Sequence, residues 1–167
     1  GYEATGITKL IEYMGIPRQS FYNTFGSKEK LLFECINLYG MILNKAIREA
    51  TEAAQTPFEK IDRLFEMWER EDKNIGCFFG NCVAEFGATN EKVAELMKSQ
   101  LKSLRNVFSN IFQEAIDQGD LPADRCAQTL ANTLITYSQG IALVKKTSPS
   151  AAEMLGTVEI MKQSLKQ

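Results

Sequence analysis

Apolar positions recur with the period of an α-helix along most of the chain. Near the start, the i, i+3, i+4, i+7 spacing that marks one helix face is met by Ile7, Leu10, Ile11 and Met14. The same period continues through the segments 27–54, 57–74, 90–119, 124–146 and 150–167. Asn90 and Asp124 are predicted to cap the helices that start at these positions. No segment shows the strict alternation of apolar and polar residues that is typical of a strand. The sequence therefore predicts an all-α protein of about eight helices.

Two short helices near the start of the chain are separated by a tight turn. Gly15 ends the first helix at a position that favours a left-handed residue, and Pro17 suits the first position of the second helix. Gly26 closes the second helix, and Ser27 can cap the long helix that follows. Two helices joined in this way have the geometry by which a recognition helix enters the major groove of DNA.

The second short helix has one apolar side and one polar side. Phe21 and Phe25 lie four residues apart and share the apolar side. The opposite side carries Arg18, Gln19 and Asn23. Arginine can form two hydrogen bonds with guanine, and glutamine or asparagine can do the same with adenine. A generic helical hairpin with a solvated polar tip has the same pattern, so that alternative stays open at this point.

Net charge gives only weak support to nucleic-acid binding. The chain carries a formal charge of −2; the first fifty residues hold six cations against five acids, and the remainder thirteen against sixteen. Electrostatics alone therefore do not identify a DNA-binding protein here. Side chains suited to bonding phosphate are nevertheless present in Ser20, Tyr22 and Lys28, and the helix that starts at Ser27 favours an anion at its amino end.

The residue types present exclude several classes of protein. The chain has no histidine, which removes histidine general bases and histidine-containing metal sites. It also lacks a paired-carboxylate constellation and a phosphate-cradling glycine loop, so the sequence predicts neither an enzyme nor a cofactor or metal. The four cysteines are scattered among apolar residues, which is typical of buried thiols in a reducing cytoplasm. No apolar run is long enough to span a bilayer, and we expect no secretory signal.

The segment GYEATGITKLIEYMGIPRQSFYNTFGSKEKLL resembles the DNA-binding region of the TetR family of bacterial transcriptional regulators, of the AcrR-like type. The matching features are Gly1-Tyr2-Glu3-Ala4-Thr5, Gly15, the Tyr22 and Phe25 pair, and Gly26-Ser27-Lys28-Glu29. The resemblance implies an N-terminal helix-turn-helix domain, residues 1–46, and a C-terminal helical bundle for ligand binding and dimerisation, residues 47–167. It also implies a homodimer that binds a palindromic operator and releases it when a small molecule enters a C-terminal pocket.

The resemblance further implies roles for particular residues. Arg18, Gln19 and Asn23 fall where the family reads bases. The positions at which the family grips the DNA backbone are Thr5, Thr8, Ser20, Tyr22 and Lys28. The chain departs from the family pattern at Pro17, where many members have a capping serine. Family members also have a preceding helix that completes the DNA-binding domain. This chain starts where that helix would end, so we expect the native protein to have it.

The C-terminal part is where the family diverges, so its candidate residues form broad sets. The ligand pocket is predicted among Trp68, Phe78, Phe79, Asn81, Glu85, Phe86, Met97, Phe108, Tyr137 and Gln139. Each of these residues also fits an ordinary place in the core. The last two helices are predicted to form a dimer interface through Leu130, Leu134, Ile141, Val144, Met154, Leu155, Val158 and Met161. Cys77 resembles a cysteine found in some family members and is a candidate thiol sensor.

The sequence thus predicts a ligand-responsive transcriptional regulator, a repressor, in the bacterial cytoplasm. Its expected partners are double-stranded DNA, a small-molecule effector and a second copy of the chain, with no membrane partner. The alternative is a helical small-molecule-binding or scaffolding protein that has lost DNA binding. The weak charge bias and the expected missing helix are the features that support this alternative.

Overall fold

A computed structural model describes residues 1–70, 76–147 and 151–166. These residues form eight α-helices and no strand, which confirms the predicted all-α class. The helices are α1 (Ile7–Met14), α2 (Arg18–Phe25), α3 (Lys28–Thr51), α4 (Pro57–Glu69), α5 (Phe78–Phe86), α6 (Glu91–Asp117), α7 (Ala127–Val144) and α8 (Ala151–Leu165). A single 3-10 turn, Lys145–Thr147, follows α7. In the described part of the chain, every helix is too short or too polar to cross a membrane.

The turns around α2 follow the local rules read from the sequence. Gly15 and Gly26 end α1 and α2 with φ of 65° and 73°, a region that favours glycine. The Ser27 hydroxyl accepts the backbone N–H of Lys30 at 3.1 Å and so caps α3, as predicted. Pro17 lies one residue earlier than predicted, because it is the extended residue that precedes α2 and not its first helical residue. It supplies no side-chain cap.

Later helix starts are a mixture of confirmed and corrected predictions. The side chain of Asn90 accepts the backbone N–H of Val93 at 3.1 Å, so Asn90 caps α6 as predicted. Asp124 does not cap α7, because the Arg125 amide bonds the Pro122 carbonyl in a turn and delays the helix to Ala127. The predicted end of α4 at 71–74 and the predicted start of α8 at 149–150 lie outside the described residues.

The chain divides into two compact units that do not follow chain order. The first unit contains Gly1–Ile42 and Phe78–Gln100, and the second contains Leu43–Cys77 and Leu101–Gln167. The predicted domains, 1–46 and 47–167, differ from these units. The prediction places α5 and the start of α6 in the C-terminal domain, whereas they belong to the first unit. Helical periodicity reports which face of a segment is apolar and not which earlier segment covers that face, so this feature was not predictable.

Each unit has its own buried core. In the first unit the buried apolar residues are Phe21, Leu32, Ile36, Phe79, Cys82, Phe86, Val93 and Met97. The second unit has a larger continuous cluster formed by α3, α4, α6, α7 and α8, with the fully buried residues Ile61, Leu64, Phe65, Phe112, Ala115, Ala131, Leu134 and Leu165 near its centre. The apolar stripe of α1 is not part of the buried core of the first unit. None of its residues is buried in the described structure, although Ile7, Leu10, Ile11 and Met14 share one helix face.

Candidate nucleic-acid interface

Helix α2 has one exposed polar side and one apolar side that packs against the rest of the first unit. Phe21 is fully buried, and its ring centroid lies 5.4 Å from that of Phe25. Arg18, Gln19 and Asn23 are all exposed on the other side of the helix. The predicted separation of an apolar side and a polar side of α2 is therefore present in the structure. A helix held in this way can enter a groove without losing its packing.

The polar side chains of α2 are ordered by contacts with one another. The amide nitrogen of Gln19 donates to the side-chain oxygen of Asn23 at 2.9 Å. The Arg18 guanidinium lies 5.8 Å from the centroid of the Tyr22 ring, within the range of a cation–π contact. Such contacts reduce the rotamer freedom that these long side chains would lose on binding a base edge.

The residues assigned to the DNA backbone fall into two groups. Thr8, Ser20 and Tyr22 are exposed. Thr5 is half-buried, and its hydroxyl donates to the carbonyl of Gly1 at 2.8 Å. The ammonium group of Lys28 lies 3.9 Å from the centroid of the Tyr2 ring, so Lys28 packs against the chain start.

Sequence reasoning left out three exposed side chains of the same region. Lys9 on α1 and Lys30 on α3 are exposed cations, and Tyr13 on α1 is 94% exposed. Lys9 and Lys30 are among the six cations of the first fifty residues, but the sequence pattern alone assigns them no contact with DNA. Tyr13 could have been found from its position, because an aromatic residue that lies off the apolar stripe of a short helix is left in solvent.

A cleft of about 340 Å³ in the first unit collects some of the predicted pocket residues. Phe78, Asn81, Glu85 and Phe86 line it, together with residues of the chain start, α1 and α3. The remaining predicted residues of this unit, Phe79 and Met97, are buried in its core. A second cleft, of about 400 Å³, lies in the second unit and was not predicted; its lining includes Asn44, Arg48, Thr51, Lys60, Asn110 and Glu114.

The other predicted pocket residues belong to the second unit. The ring centroids of Trp68 and Phe108 are 6.2 Å apart within its core, and the Tyr137 hydroxyl lies 2.9 Å from the hydroxyl of Ser164. The side-chain amide of Gln139 donates to the sulfur of Cys77 at 3.5 Å. The predicted residues are thus divided between the two units. Four of them line the first cleft, and none lines the second.

The predicted dimer interface requires correction. Leu130, Leu134, Ile141 and Val158 are buried in the core of their own chain, so they cannot form an outward surface. Met154 and Met161 also pack against that core, and the side chain of Leu155 lies outside the described residues. Among the described side chains of α7 and α8, the large exposed apolar residues are Leu143, Val144 and Ile160, at 65%, 47% and 69% exposure. Val144 is the one described member of the predicted set among them.

Two family models match the sequence of this chain. The model described as "Bacterial regulatory proteins, tetR family" matches residues 1–35, and the "Tetracyclin repressor-like, C-terminal domain" model matches residues 57–156. The chain belongs to the TetR family. The resemblance drawn from the first helices is thereby confirmed, and the second match extends membership to the C-terminal helices.

Individual TetR-type proteins agree with this assignment. YezE, an HTH-type transcriptional regulator of Bacillus subtilis (strain 168), is 30% identical over 125 residues, or 72% of this chain and 64% of that protein. The matched region therefore spans less than two thirds of that relative's length. A TetR regulator from Chloroflexus aurantiacus has the same fold, with a TM-score of 0.88, 18% identity, and coverage of 100% of this chain and 86% of that one.

A DNA complex is also among the similar solved structures. The TetR-family regulator CifR, solved as a cysteine mutant with 26-bp double-strand operator DNA, is 25% identical with a TM-score of 0.81. The similarity covers 98% of this chain and 87% of that chain. All these relatives are transcriptional regulators, in agreement with the prediction of a regulator and not an enzyme.

Proposed function

We propose that this protein is a transcriptional repressor that binds a palindromic operator as a homodimer in the bacterial cytoplasm and is released by a small molecule. The observation that carries the proposal is the exposed polar face of α2 above the buried Phe21. Family membership and the operator complex of CifR support the same function. A scaffold that has lost DNA binding would not require Arg18, Gln19 and Asn23 together on one exposed face, so this face favours the regulator.

Base recognition is assigned to Arg18, Gln19 and Asn23. Arg18 would form paired hydrogen bonds with a guanine, and Gln19 or Asn23 with an adenine. Thr5, Thr8, Ser20, Tyr22 and Lys28 would bond phosphates and fix the register of α2 in the groove. Lys9, Lys30 and Tyr13 add exposed groups on the same unit that can meet the DNA backbone.

Dimerisation follows from the short length of the recognition helix. One helix of eight residues contacts few base pairs, whereas a two-fold pair reads two half-sites separated by about one helical turn or a multiple of it. We assign the dimer surface to α7 and α8, where Leu143, Val144 and Ile160 are exposed. These three residues replace the buried residues named from the sequence.

Release by an effector is a shift between a dimer form that matches the operator and one that does not. A ligand can cause this shift only by binding the second form more tightly. The clefts of about 340 and 400 Å³ are within the size range of small-molecule sites. The first combines apolar walls with a few polar groups, and the second is lined by six polar or charged residues and three apolar ones. We assign the effector to one of these clefts.

Selection of DNA from fragments of the source genome tests the proposal. Full-length protein is incubated with the fragments at a stated near-physiological salt concentration, and bound DNA is sequenced. We expect a palindrome bound with a Kd of about 10⁻⁸ M or tighter. Weak, salt-sensitive binding without a common motif would instead support the helical scaffold.

Two substitutions then separate base reading from phosphate binding. Arg18→Ala is expected to cost about 1–3 kcal/mol on the selected palindrome and to relax the preference at one base pair of each half-site. Lys28→Ala is expected to weaken all sequences alike and to reduce the dependence of binding on salt. If full-length protein is indifferent to both changes, the assignment of α2 to the groove is wrong.

A further inference from the structure

A carboxylate on α5 holds the first turn of the chain. The backbone N–H of Tyr2 donates to Glu85 Oε2 at 3.0 Å, and that of Glu3 donates to Glu85 Oε1 at 3.1 Å. Each carboxylate oxygen therefore binds one amide of a segment more than eighty residues earlier in the chain. Hydrogen bonds with an ionised acceptor are stronger than neutral ones, so this pair is a specific attachment.

Tyr2, one of the two residues that Glu85 holds, also contacts other groups of the first unit. The ring of Phe86 meets that of Tyr2 edge to face, with centroids 5.1 Å apart, and the Lys28 ammonium lies 3.9 Å from the Tyr2 centroid. A methyl group placed on Gly1 would lie 3.0 Å from Glu85 Oε2, which is closer than ordinary contact distance. A side chain at position 1 would therefore require Glu85 to shift by a few tenths of an ångström.

The attachment continues from the first turn into α1. The Thr5 amide donates to the Tyr2 carbonyl at 3.1 Å, so residues 2–5 form one hydrogen-bonded turn. Gly6, the next residue, precedes α1 and provides no side-chain cap. The start of α1 is therefore oriented by the turn, and the turn is held by Glu85. Thr5 lies within the turn, and Thr8 lies in the first helical turn after it.

We propose that Glu85 is a positioning residue for operator binding, which acts through the turn at residues 1–6 to hold Thr5, Thr8 and α1 in their DNA-binding arrangement. This inference rests on the proposed function. It also reassigns Glu85, which the sequence suggested as a polar contact to an effector. Its two oxygens already accept backbone amides, so the segment that carries it serves the DNA-binding unit.

The charge state of Glu85 is consistent with this role. The hydrogen bond from the Tyr2 amide is the main cause that holds the pKa of Glu85 below its usual range. The Glu3 amide and the positive charge of Lys28 act in the same direction. The acceptor is therefore ionised at neutral pH.

The sign of the effect on DNA affinity makes the proposal testable. Removing a carboxylate from a DNA-binding unit reduces repulsion of phosphate, so a purely electrostatic role predicts tighter binding for Glu85→Ala. Loss of positioning predicts the reverse, a Kd weakened by about tenfold. Glu85→Gln keeps one acceptor oxygen but places an N–H group opposite the second amide, so we expect its Kd to lie between those of Glu85→Ala and the unsubstituted protein. Glu95→Ala, an exposed acid on α6 of the same unit, is the matched control for loss of charge.

The experiment uses the full chain and two independent readouts. Kd is measured on the palindrome recovered by genomic selection, and hydrogen exchange of the Tyr2 and Glu3 amides is followed by NMR without DNA. We expect Glu85→Ala to weaken Kd and to expose both amides, whereas Glu85→Gln should keep one amide protected and weaken Kd less. Unchanged or tighter binding by Glu85→Ala, as for Glu95→Ala, would overturn the positioning role, and so would amides that stay protected. Failure of the unsubstituted protein to bind any selected DNA would overturn the proposed function, while the amide measurement would still report on the Glu85 attachment.

Discussion

The two compact units of the chain differ in the contacts that stabilise each of them internally. The first unit has a small apolar core to which its segments 1–42 and 78–100 both contribute. Polar bonds also join these segments: Glu85 with the Tyr2 and Glu3 amides, Asn90 with Glu29, and Gln100 with Asn37. The second unit has a large continuous core to which five helices contribute. Its polar contacts, such as Lys60 with Glu114 at 2.6 Å and Lys166 with Asp62 at 2.8 Å, lie at the edge of that core.

This difference indicates a division of labour between orientation and stability. Apolar contacts are non-directional, so a large core stabilises the second unit without fixing any one bond angle. Hydrogen bonds are directional and fix the position of the groups that they join. In the proposed function the first unit binds DNA, and directional bonds between segments that are distant in sequence fix the positions of its helices. We therefore expect substitutions in the second unit to reduce stability, and substitutions at the polar contacts of the first unit to reduce DNA affinity.

The largest expected effect is that of Phe112→Ala in the second unit. Phe112 is fully buried, and removal of a buried phenyl ring costs about 3–5 kcal/mol through lost transfer energy and the cavity that remains. Trp68, the single tryptophan of the chain, packs in this core, so its fluorescence in a urea titration reports on the second unit. We expect the unfolding midpoint to fall to a much lower urea concentration.

Phe21→Ala is the matched change in the first unit. Phe21 is equally buried, and we expect its loss to open the first unit locally and to abolish operator binding. The Trp68 unfolding transition should then move much less than in Phe112→Ala. Equal shifts for the two variants would show that the units unfold as one cooperative body, and the proposed division would be wrong.

The second prediction concerns the exposed apolar surface of the second unit. Ile160→Glu places a charge where we assign the dimer contact, and loss of a central apolar contact with burial of an unpaired charge costs about 2 kcal/mol or more. The dimer dissociation constant should rise by at least about thirtyfold in sedimentation equilibrium. Ile42→Glu, at a residue of similar exposure (56%) in the first unit, is the control and should leave the dimer intact. A dimer that tolerates Ile160→Glu would place the interface elsewhere.

Two helix caps, one in each unit, allow the same comparison with smaller expected changes in stability. Thr56 caps α4 in the second unit through the Glu59 amide, and Asn90 caps α6 in the first unit through the Val93 amide. Loss of either cap costs about 1 kcal/mol. Asn90 also donates its side-chain N–H to Glu29 at 3.1 Å, so Asn90→Ala breaks a bond between segments in addition to the cap.

DNA affinity separates the two cap variants. Thr56→Ala should reduce stability by about 1 kcal/mol with operator Kd unchanged, whereas Asn90→Ala should reduce both. Asn90→Asp keeps the capping oxygen and loses the donor to Glu29, so it should bind DNA as weakly as Asn90→Ala. If all three variants bind the operator equally well, the Asn90 bond to Glu29 has no part in DNA binding.

The sequence predicted the local features of the fold and missed those that join distant segments. Gly15, Ser27 and Asn90 mark helix ends through rules that involve only neighbouring residues, and the structure agrees at each of them. The attachment of Glu85 to the chain start joins residues more than eighty positions apart. No local pattern encodes such a contact, so Glu85 was placed with the candidate effector contacts.

The dimer surface illustrates the same limit of periodicity. A helix in a bundle can have an apolar face toward its own core and a second surface toward a partner. The stripe of Leu130, Leu134 and Ile141 is the stronger pattern, and it covers the core of its own chain. Leu143 and Ile160 are isolated apolar residues in the sequence. They can be identified as candidate dimer contacts only when their exposure is known. The candidate DNA-reading residues were easier to name because α2 is short and its two faces differ sharply in polarity.

The smallest expected effect compares two carboxylates that accept backbone amides, one in each unit. Glu59 accepts the Gln55 amide at 2.9 Å, and this bond is the main cause that holds its pKa below the usual value, as the Tyr2 amide does for the pKa of Glu85. A carboxyl group with a lowered pKa in the folded state stabilises it at neutral pH, and that contribution is lost as the pH falls through the lowered pKa. Carboxyl-carbon NMR should show both groups titrating below the value of a free glutamate.

On acidification, the Tyr2 and Glu3 amides should lose protection with the titration of Glu85, and the Gln55 amide with that of Glu59. Operator affinity, measured over the same pH range, should follow the Glu85 titration alone, because Glu59 holds only the start of a helix in the second unit; affinity that follows Glu59 instead would reverse the roles assigned to the two units.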